Sequence, residues 1–103
     1  MSYAVIWDEN GGPVYAGRLA LAARAVELSG VALGRRESRR KLFYEELAGI
    51  QIERGRGSRL AGLATLVLDL RAGGRFRIAS LQGAGSLPEL VELLQARCAP
   101  VAA

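Results

Sequence analysis

The feature that most restricts how this chain folds lies in residues 64–81, where apolar and polar side chains alternate in two stretches. Five large apolar residues take the alternate positions: Leu66, Leu68, Leu70, Phe76 and Ile78. A period of two is typical of a strand with one buried face. Between the stretches stand Gly73 and Gly74, which suit the positive φ angles of a tight turn. The segment therefore predicts a β-hairpin.

A second pattern, in residues 86–98, has the spacing of a helix. Leucines and a valine recur at i, i+3, i+4 and i+7, and Cys98 continues the same stripe. Ser86 precedes Glu89 by the capping-box spacing, and Pro88 falls in the first turn, where a missing N–H does no harm. Pro100 is placed to end the helix. We predict an amphipathic terminal helix with one face in the core.

The remaining segments are interpreted mainly as strands. Tyr3–Trp7 is predicted as a strand, and Asn10–Pro13 has the composition of a turn. Lys41–Arg54 indicates two extended pieces with a bend between Glu45 and Gly49, where the alternation changes phase. Arg18–Ser29 is ambiguous, because its propensity favours a helix; we predict a hairpin with a turn at Ala22-Ala23, which suits the pattern of the rest of the chain.

Charge is concentrated in the middle of the chain. The formal net charge is +4, and the excess comes from residues 35–59. We interpret residues 30–41 and 54–62 as loops. The first loop carries the candidate anion-binding residues: Arg35, Arg36, Arg39, Arg40 and Lys41. Arginine suits bidentate contacts with phosphate or carboxylate, but a solvated loop partly neutralised by Glu37 remains the alternative.

Composition excludes several classes of chemistry. The chain of 103 residues has no histidine and one cysteine, so histidine catalysis and Cys/His metal sites have no residues to build them. Adjacent carboxylates such as Asp8 and Glu9 point to opposite faces of a strand, and this spacing does not make an acid/base pair. We expect one domain over residues 1–103, no catalytic residues, no metal and no cofactor. No signal peptide or transmembrane stretch is evident, so a cytoplasmic protein is expected.

The order of these segments resembles the pleckstrin-homology-like (PH-like) superfamily, especially its small bacterial and GRAM-type members. The residues that carry the resemblance are Gly17–Leu21, Val26–Gly30, the basic loop, Phe43–Ile50, the hairpin and the terminal helix. The resemblance implies a mainly β fold: a partly open antiparallel barrel of about seven strands, capped by the helix. Inositol-lipid-binding members carry basic residues around the first hairpin loop. That loop is taken here as Ala22-Ala23-Arg24, which lacks such a cluster.

The resemblance implies a non-catalytic scaffold for binding lipids, peptides or proteins, although fold alone does not fix function. Our leading expectation is a module for protein association, self-association included, because Ile6, Val14 and Val67 fall opposite the main apolar face of their strands. The alternative is an anion-binding module that uses residues 35–41 to hold phosphates of an acidic membrane or a nucleic acid.

Overall fold

The computed structural model describes residues 2–32, 36–53, 55, 60–82 and 86–98, with only the backbone of Ser86. These residues form seven strands, one 3-10 helix and one α-helix. The strands are Ser2–Glu9 (β1), Tyr15–Leu21 (β2), Ala25–Ala32 (β3), Glu37–Phe43 (β4), Leu47–Glu53 (β5), Thr65–Leu70 (β6) and Arg75–Ser80 (β7). The 3-10 helix is Tyr44–Glu46 and the α-helix, α1, is Ser86–Cys98.

All neighbouring strands are antiparallel, in the order β4-β3-β2-β1-β7-β6-β5. The sheet curls into a half-barrel, and β4 and β5 are its two edges within the described residues. Helix α1 places Leu87, Leu90 and Leu94 in the same buried cluster as the inner faces of the strands. The predicted fold class, mainly β with one carboxy-terminal helix, is confirmed.

The two strongest local patterns form the predicted elements. The hairpin is β6 and β7, and both Gly73 and Gly74 have positive φ in its turn. The helix covers residues 86–98 as expected, although the Ser86 side chain and Pro100 lie outside the described structure. The bend predicted at Glu45–Gly49 overlaps the 3-10 helix Tyr44–Glu46, which separates β4 from β5.

The ambiguous segment 18–29 is a hairpin, formed by β2 and β3. Its strands carry apolar residues whose exposed fraction is 1% or less: Leu19, Val26 and Leu28. Strand pairing and burial on the inner face outweigh the helical propensity of the alanines and leucines, which is worth only a fraction of a kcal/mol per residue.

Two expectations about loops were wrong. Residues 30–32 and 37–41 are strands and not a loop, since β3 continues to Ala32 and β4 begins at Glu37, with pairing from Val31–Glu37 to Ala25–Phe43. A charged strand is tolerated at a sheet edge, where its side chains remain in water, so charge alone misled the interpretation. The first hairpin is β1–β2 instead, and its connection, residues 10–14, holds no Lys or Arg.

Within the described residues, no helix is both long and apolar enough to cross a membrane.

Candidate anion-binding groove

The outer face of β2, β3 and β4 carries a row of three polar side chains. Arg18 is the cross-strand partner of Ser29, and Ser29 is in turn the partner of Arg39. Cross-strand partners share a face, and neighbouring strands lie about 4.8 Å apart, so the two arginines stand roughly 10 Å apart with the serine between them. The inner-face residue Leu28 is buried next to this row. The row is therefore fixed by sheet register and points toward solvent.

A second row lies beside the first and completes an open groove of about 460 Å³. Here Lys41 is the partner of Glu27, Glu27 of Ala20, and Ala20 of Ser2. Arg18 donates from Nη1 to the Ser2 hydroxyl at 3.1 Å, which links the two rows. Glu27 is the acidic residue among those that line the groove.

The groove has an excess of positive charge that is not neutralised locally. Among the residues that the structure describes, the ion pairs are Arg40–Glu9, Arg75–Asp69 and Arg77–Asp8. Arg18, Arg39 and Lys41 have no carboxylate at ion-pair distance in that part of the chain, and all three are exposed. Guanidinium groups grouped with a serine hydroxyl suit the oxygens of a phosphate or a carboxylate.

The candidate residues from the sequence are divided by the structure. Arg39 and Lys41 share the outer face of β4 and line the groove. Arg40 borders it too, but its Nε donates to Glu9 Oε1 at 2.7 Å, so its charge is already paired. Arg36 precedes β4 and is exposed outside the groove, where its carbonyl accepts a hydrogen bond from the Ala32 N–H. Arg35 lies outside the described residues.

Sequence reasoning missed Arg18, Ser29 and Ser2 as members of the same site. They come from three different strands, and only the register brings them together. The sequence signal that could have found Arg18 and Ser29 is the alternation within β2 and β3. Each residue is adjacent to a leucine of the inner face, Leu19 or Leu28, and must therefore point to the outer face.

A second recess, the arginine cavity, has a volume of about 670 Å³. Three arginines reach it from separate elements: Arg24 in the β2–β3 turn, Arg71 in the β6–β7 turn and Arg97 in the last turn of α1. Its acidic lining residue is Glu45. None of the three arginines forms an ion pair within the described residues. The cavity therefore carries more positive than negative charge.

Hydrogen bonds hold the walls of the arginine cavity in place. The Arg71 Nε donates to the Glu45 carbonyl at 3.0 Å, and the Arg97 guanidinium lies 5.9 Å from the centre of the Tyr44 ring. Tyr44 is buried and donates its hydroxyl to the Ala22 carbonyl at 2.6 Å. Burial is the main cause that raises the pKa of Tyr44, and it also raises the pKa of the Cys98 thiol at the rim. Neither group is therefore an ionised nucleophile near neutral pH.

The outer face also bears an apolar row. Ile6 is the partner of Ala16, and Ala16 is the partner of Val31, whose exposed fraction is 45%. Val14 is exposed as well, at 43%. Val67 was expected to contribute to such a surface, but this was wrong, since it is 1% exposed and therefore covered within the chain.

The described residues contain no group of three His, Cys, Asp or Glu side chains that is placed to hold a metal ion. The adjacent carboxylates go to different partners, Asp8 to Arg77 and Glu9 to Arg40. Asp8 and Glu9 have different partners because adjacent residues of a strand point to opposite faces.

Comparisons with known proteins inform the fold. No family model and no curated protein matches the chain. Among solved structures, the chain is similar to the crystal structure of the C-terminal domain of an unknown protein from Leishmania infantum, with a TM-score of 0.65 and 12% sequence identity. The alignment covers 97% of this chain and 83% of that one. At this identity the likeness shows a shared fold and transfers no function.

Proposed function

We propose that the chain is a non-catalytic, PH-like module that binds phosphate groups of a larger partner through the groove on β2–β4. The observation that carries the proposal is the row Arg18–Ser29–Arg39, which sheet register holds in line on an exposed face. The antiparallel half-barrel with its carboxy-terminal helix agrees with the scaffold that the resemblance implies. The phosphates of an anionic membrane and of a nucleic acid present the same chemistry to these residues.

The proposal differs from a general attraction between opposite charges, because only some of the basic residues face the groove. Arg39 and Lys41 belong to it, whereas Arg36 lies outside it and Arg40 is paired with Glu9. Replacing a groove cation should therefore weaken binding more than replacing a neighbouring cation of equal charge.

The test measures binding to two probes, vesicles that contain anionic phospholipid and a fluorescent oligonucleotide, at several salt concentrations. The variant Arg18→Ser/Arg39→Ser should lower the affinity for the bound probe by at least tenfold and reduce its dependence on salt. The matched control is Arg36→Ser/Arg75→Ser, which removes the same charge outside the groove. The proposal would be overturned if both double variants lost the same affinity for the probe, or if the unaltered protein bound neither probe.

A second candidate function, self-association, is favoured by the apolar row on the outer face. Ile6, Ala16 and Val31 are lateral neighbours on three strands, and Val14, two residues before Ala16, is exposed. Apolar side chains grouped in this way gain free energy when a second copy covers them. We propose that two copies pack through this row.

Light scattering over a range of concentrations tests this second candidate. The unaltered protein should approach the mass of a dimer as concentration rises, and Val31→Ser should remain a monomer at the same concentrations. Phe43→Ser is the control, since Phe43 is 37% exposed and lies six residues along β4 from Glu37, the partner of Val31. A monomer at all concentrations would contradict the candidate, as would equal dimerisation of Val31→Ser and the unaltered protein.

A further inference from the structure

We infer that the groove and the arginine cavity form one continuous track for a single strand of nucleic acid, with Phe43 as a stacking platform between them. The inference rests on the proposed phosphate-binding function of the groove and adds the class of its partner. Phe43 lines the arginine cavity, and it stands on the same face of β4 as Arg39 and Lys41. Its side chain is 37% exposed, so a base has access to the ring.

The contacts around Phe43 join the two recesses. Lys41 lines the groove, and its Nζ lies 5.4 Å from the centre of the Phe43 ring. Arg24 and Phe43 both line the arginine cavity. Residues two apart on a strand are separated by about 6.7 Å, so Arg39, Lys41 and Phe43 follow one line of roughly 13 Å. That line is long enough for two to three nucleotides in an extended strand.

The order of side chains along this track matches what a single strand presents. Phosphates need cations at intervals, and a base freed from pairing needs a flat apolar surface beside them. The track supplies cations at Arg18, Arg39 and Lys41, then the Phe43 ring, then the cations of the cavity. A duplex would leave Phe43 without a base to stack on, because its bases are already stacked and paired.

The exposed Phe43 ring beside the cations of the two recesses favours a nucleic acid over a membrane. Both parts of the track are recesses, of about 460 and 670 Å³. A single strand presents phosphates and unpaired bases together, so it can contact the cations and the Phe43 ring at once, whereas a bilayer surface presents phosphates but no base to stack on that ring. We therefore favour the nucleic acid and treat membrane binding as an outcome of the experiment.

The experiment compares three probes: a fluorescent oligothymidylate of twelve nucleotides, a fluorescent abasic strand of the same length, and vesicles with anionic phospholipid. Phe43→Ala should weaken oligothymidylate binding about 5- to 100-fold, the effect of losing one stacked base. Binding of the abasic strand should not change, because that strand has phosphates but no bases. Leu63→Ala, at another exposed apolar residue, is the control and should bind both strands normally.

Charge variants test whether the track extends into the cavity. Arg24→Ser should reduce the slope of log affinity against log salt for the oligothymidylate by about 0.7, as expected for one lost phosphate contact on a single strand. Arg75→Ser, whose guanidinium is paired with Asp69, is the matched control and should leave that slope unchanged. An unchanged slope in Arg24→Ser would overturn the extension of the track.

The outcomes distinguish the inference from the function on which it rests. If vesicles bind through Arg18 and Arg39 while the oligothymidylate does not, the groove is a phosphate site and the single-strand inference is wrong. The single-strand inference is also wrong if the oligothymidylate and the abasic strand both bind and Phe43→Ala lowers the affinity for neither. If none of the three probes binds, the proposed function itself fails.

Discussion

The indole N–H of Trp7 on β1 donates a hydrogen bond to the carbonyl of Ser29 on β3, two strands away, at 3.0 Å. Trp7 is fully buried, and its ring stacks on Tyr15 with centroids 4.7 Å apart. On the inner face, β2 carries Gly17 and β3 carries its cross-strand partner, Gly30. The indole thus reaches a backbone group where no side chain intervenes, and it holds the strand that bears Ser29 in its place.

The first prediction concerns Gly17, where a methyl group should destabilise the fold. A Cβ at this position would overlap the Ser29 carbonyl, the same group that accepts the Trp7 hydrogen bond. Since the obstacle is backbone, β2 and β3 must separate to make room. We expect Gly17→Ala to lower the free energy of unfolding by about 3 kcal/mol or more, in the range of severe packing defects. Urea unfolding followed by Trp7 fluorescence measures it.

Gly49→Ala is the matched control for this prediction. Gly49 also lies in a strand, but a Cβ there would meet Asp69 side-chain atoms at 3.4 and 3.6 Å, which is ordinary contact. Its free energy of unfolding should stay within about 1 kcal/mol of that of the unaltered protein. If the two glycine variants were equally stable, the close approach at Ser29 would have no energetic role.

The second prediction concerns the buried ion pair between Asp8 and Arg77. Asp8 is 1% exposed, and the Arg77 Nε lies 3.1 and 3.2 Å from its two oxygens. The hydrogen bond to Asp8 is the main cause that raises the pKa of Arg77. Removing the arginine leaves a carboxylate without its partner away from water, so Arg77→Met should cost about 3–5 kcal/mol of stability.

A double variant separates the loss of the pair from a general loss of packing. Asp8→Asn/Arg77→Met contains no buried charge, so it should be more stable than Arg77→Met alone. Chemical unfolding of the single and double variants gives the comparison. A double variant less stable than Arg77→Met would mean that the orphaned carboxylate is not the source of the cost.

A third prediction addresses how the helix is attached. Leu94 is fully buried among the inner-face residues of the strands, whereas its neighbour Gln95 is exposed. Leu94→Ala should cost about 2–5 kcal/mol, because it leaves a cavity between helix and sheet. Gln95→Ala should change stability by less than about 0.5 kcal/mol. Thermal unfolding distinguishes them, and similar melting temperatures would contradict the packing.

Local patterns were sufficient to predict much of the fold. The β6–β7 hairpin and helix α1 follow from side-chain periods of 2 and 3.6, which act over neighbouring residues. The first five residues of β4, Glu37–Lys41, were taken for a loop, because this charged stretch contains no buried residue. An edge strand needs only one face in the core and leaves the other to solvent.

The candidate site could be predicted only in part, and the reason is register. Arg39 and Lys41 were found because they are close together in sequence. Arg18 and Ser29 join them through cross-strand pairing, which depends on where each strand begins and how many residues each turn contains. A shift of one residue in either pairing would move a side chain to the inner face. Composition and charge carry no information about that choice.

The last prediction is a loss of stability in alkali that comes partly from Tyr44. Burial raises the pKa of Tyr44 above its ordinary value of 10.0 in the folded protein, although Arg97 opposes the shift. The unfolded chain therefore gives up this proton first as the pH rises. The sign follows from linkage: the contribution of the neutral tyrosine is complete below pH 10 and is lost as the pH rises through the folded-state pKa.

The variant Tyr44→Phe isolates this effect from other groups that titrate in alkali. At pH 7 it should be less stable by about 0.5–1.5 kcal/mol, because the Ala22 carbonyl loses its hydrogen bond. Between pH 9 and 11 the phenylalanine has no proton to lose, so the difference between the two proteins should narrow. Urea unfolding midpoints of both proteins, measured at intervals of one pH unit, give this difference in stability. A difference that stays constant up to pH 11 would show that Tyr44 ionises equally in the folded and unfolded states.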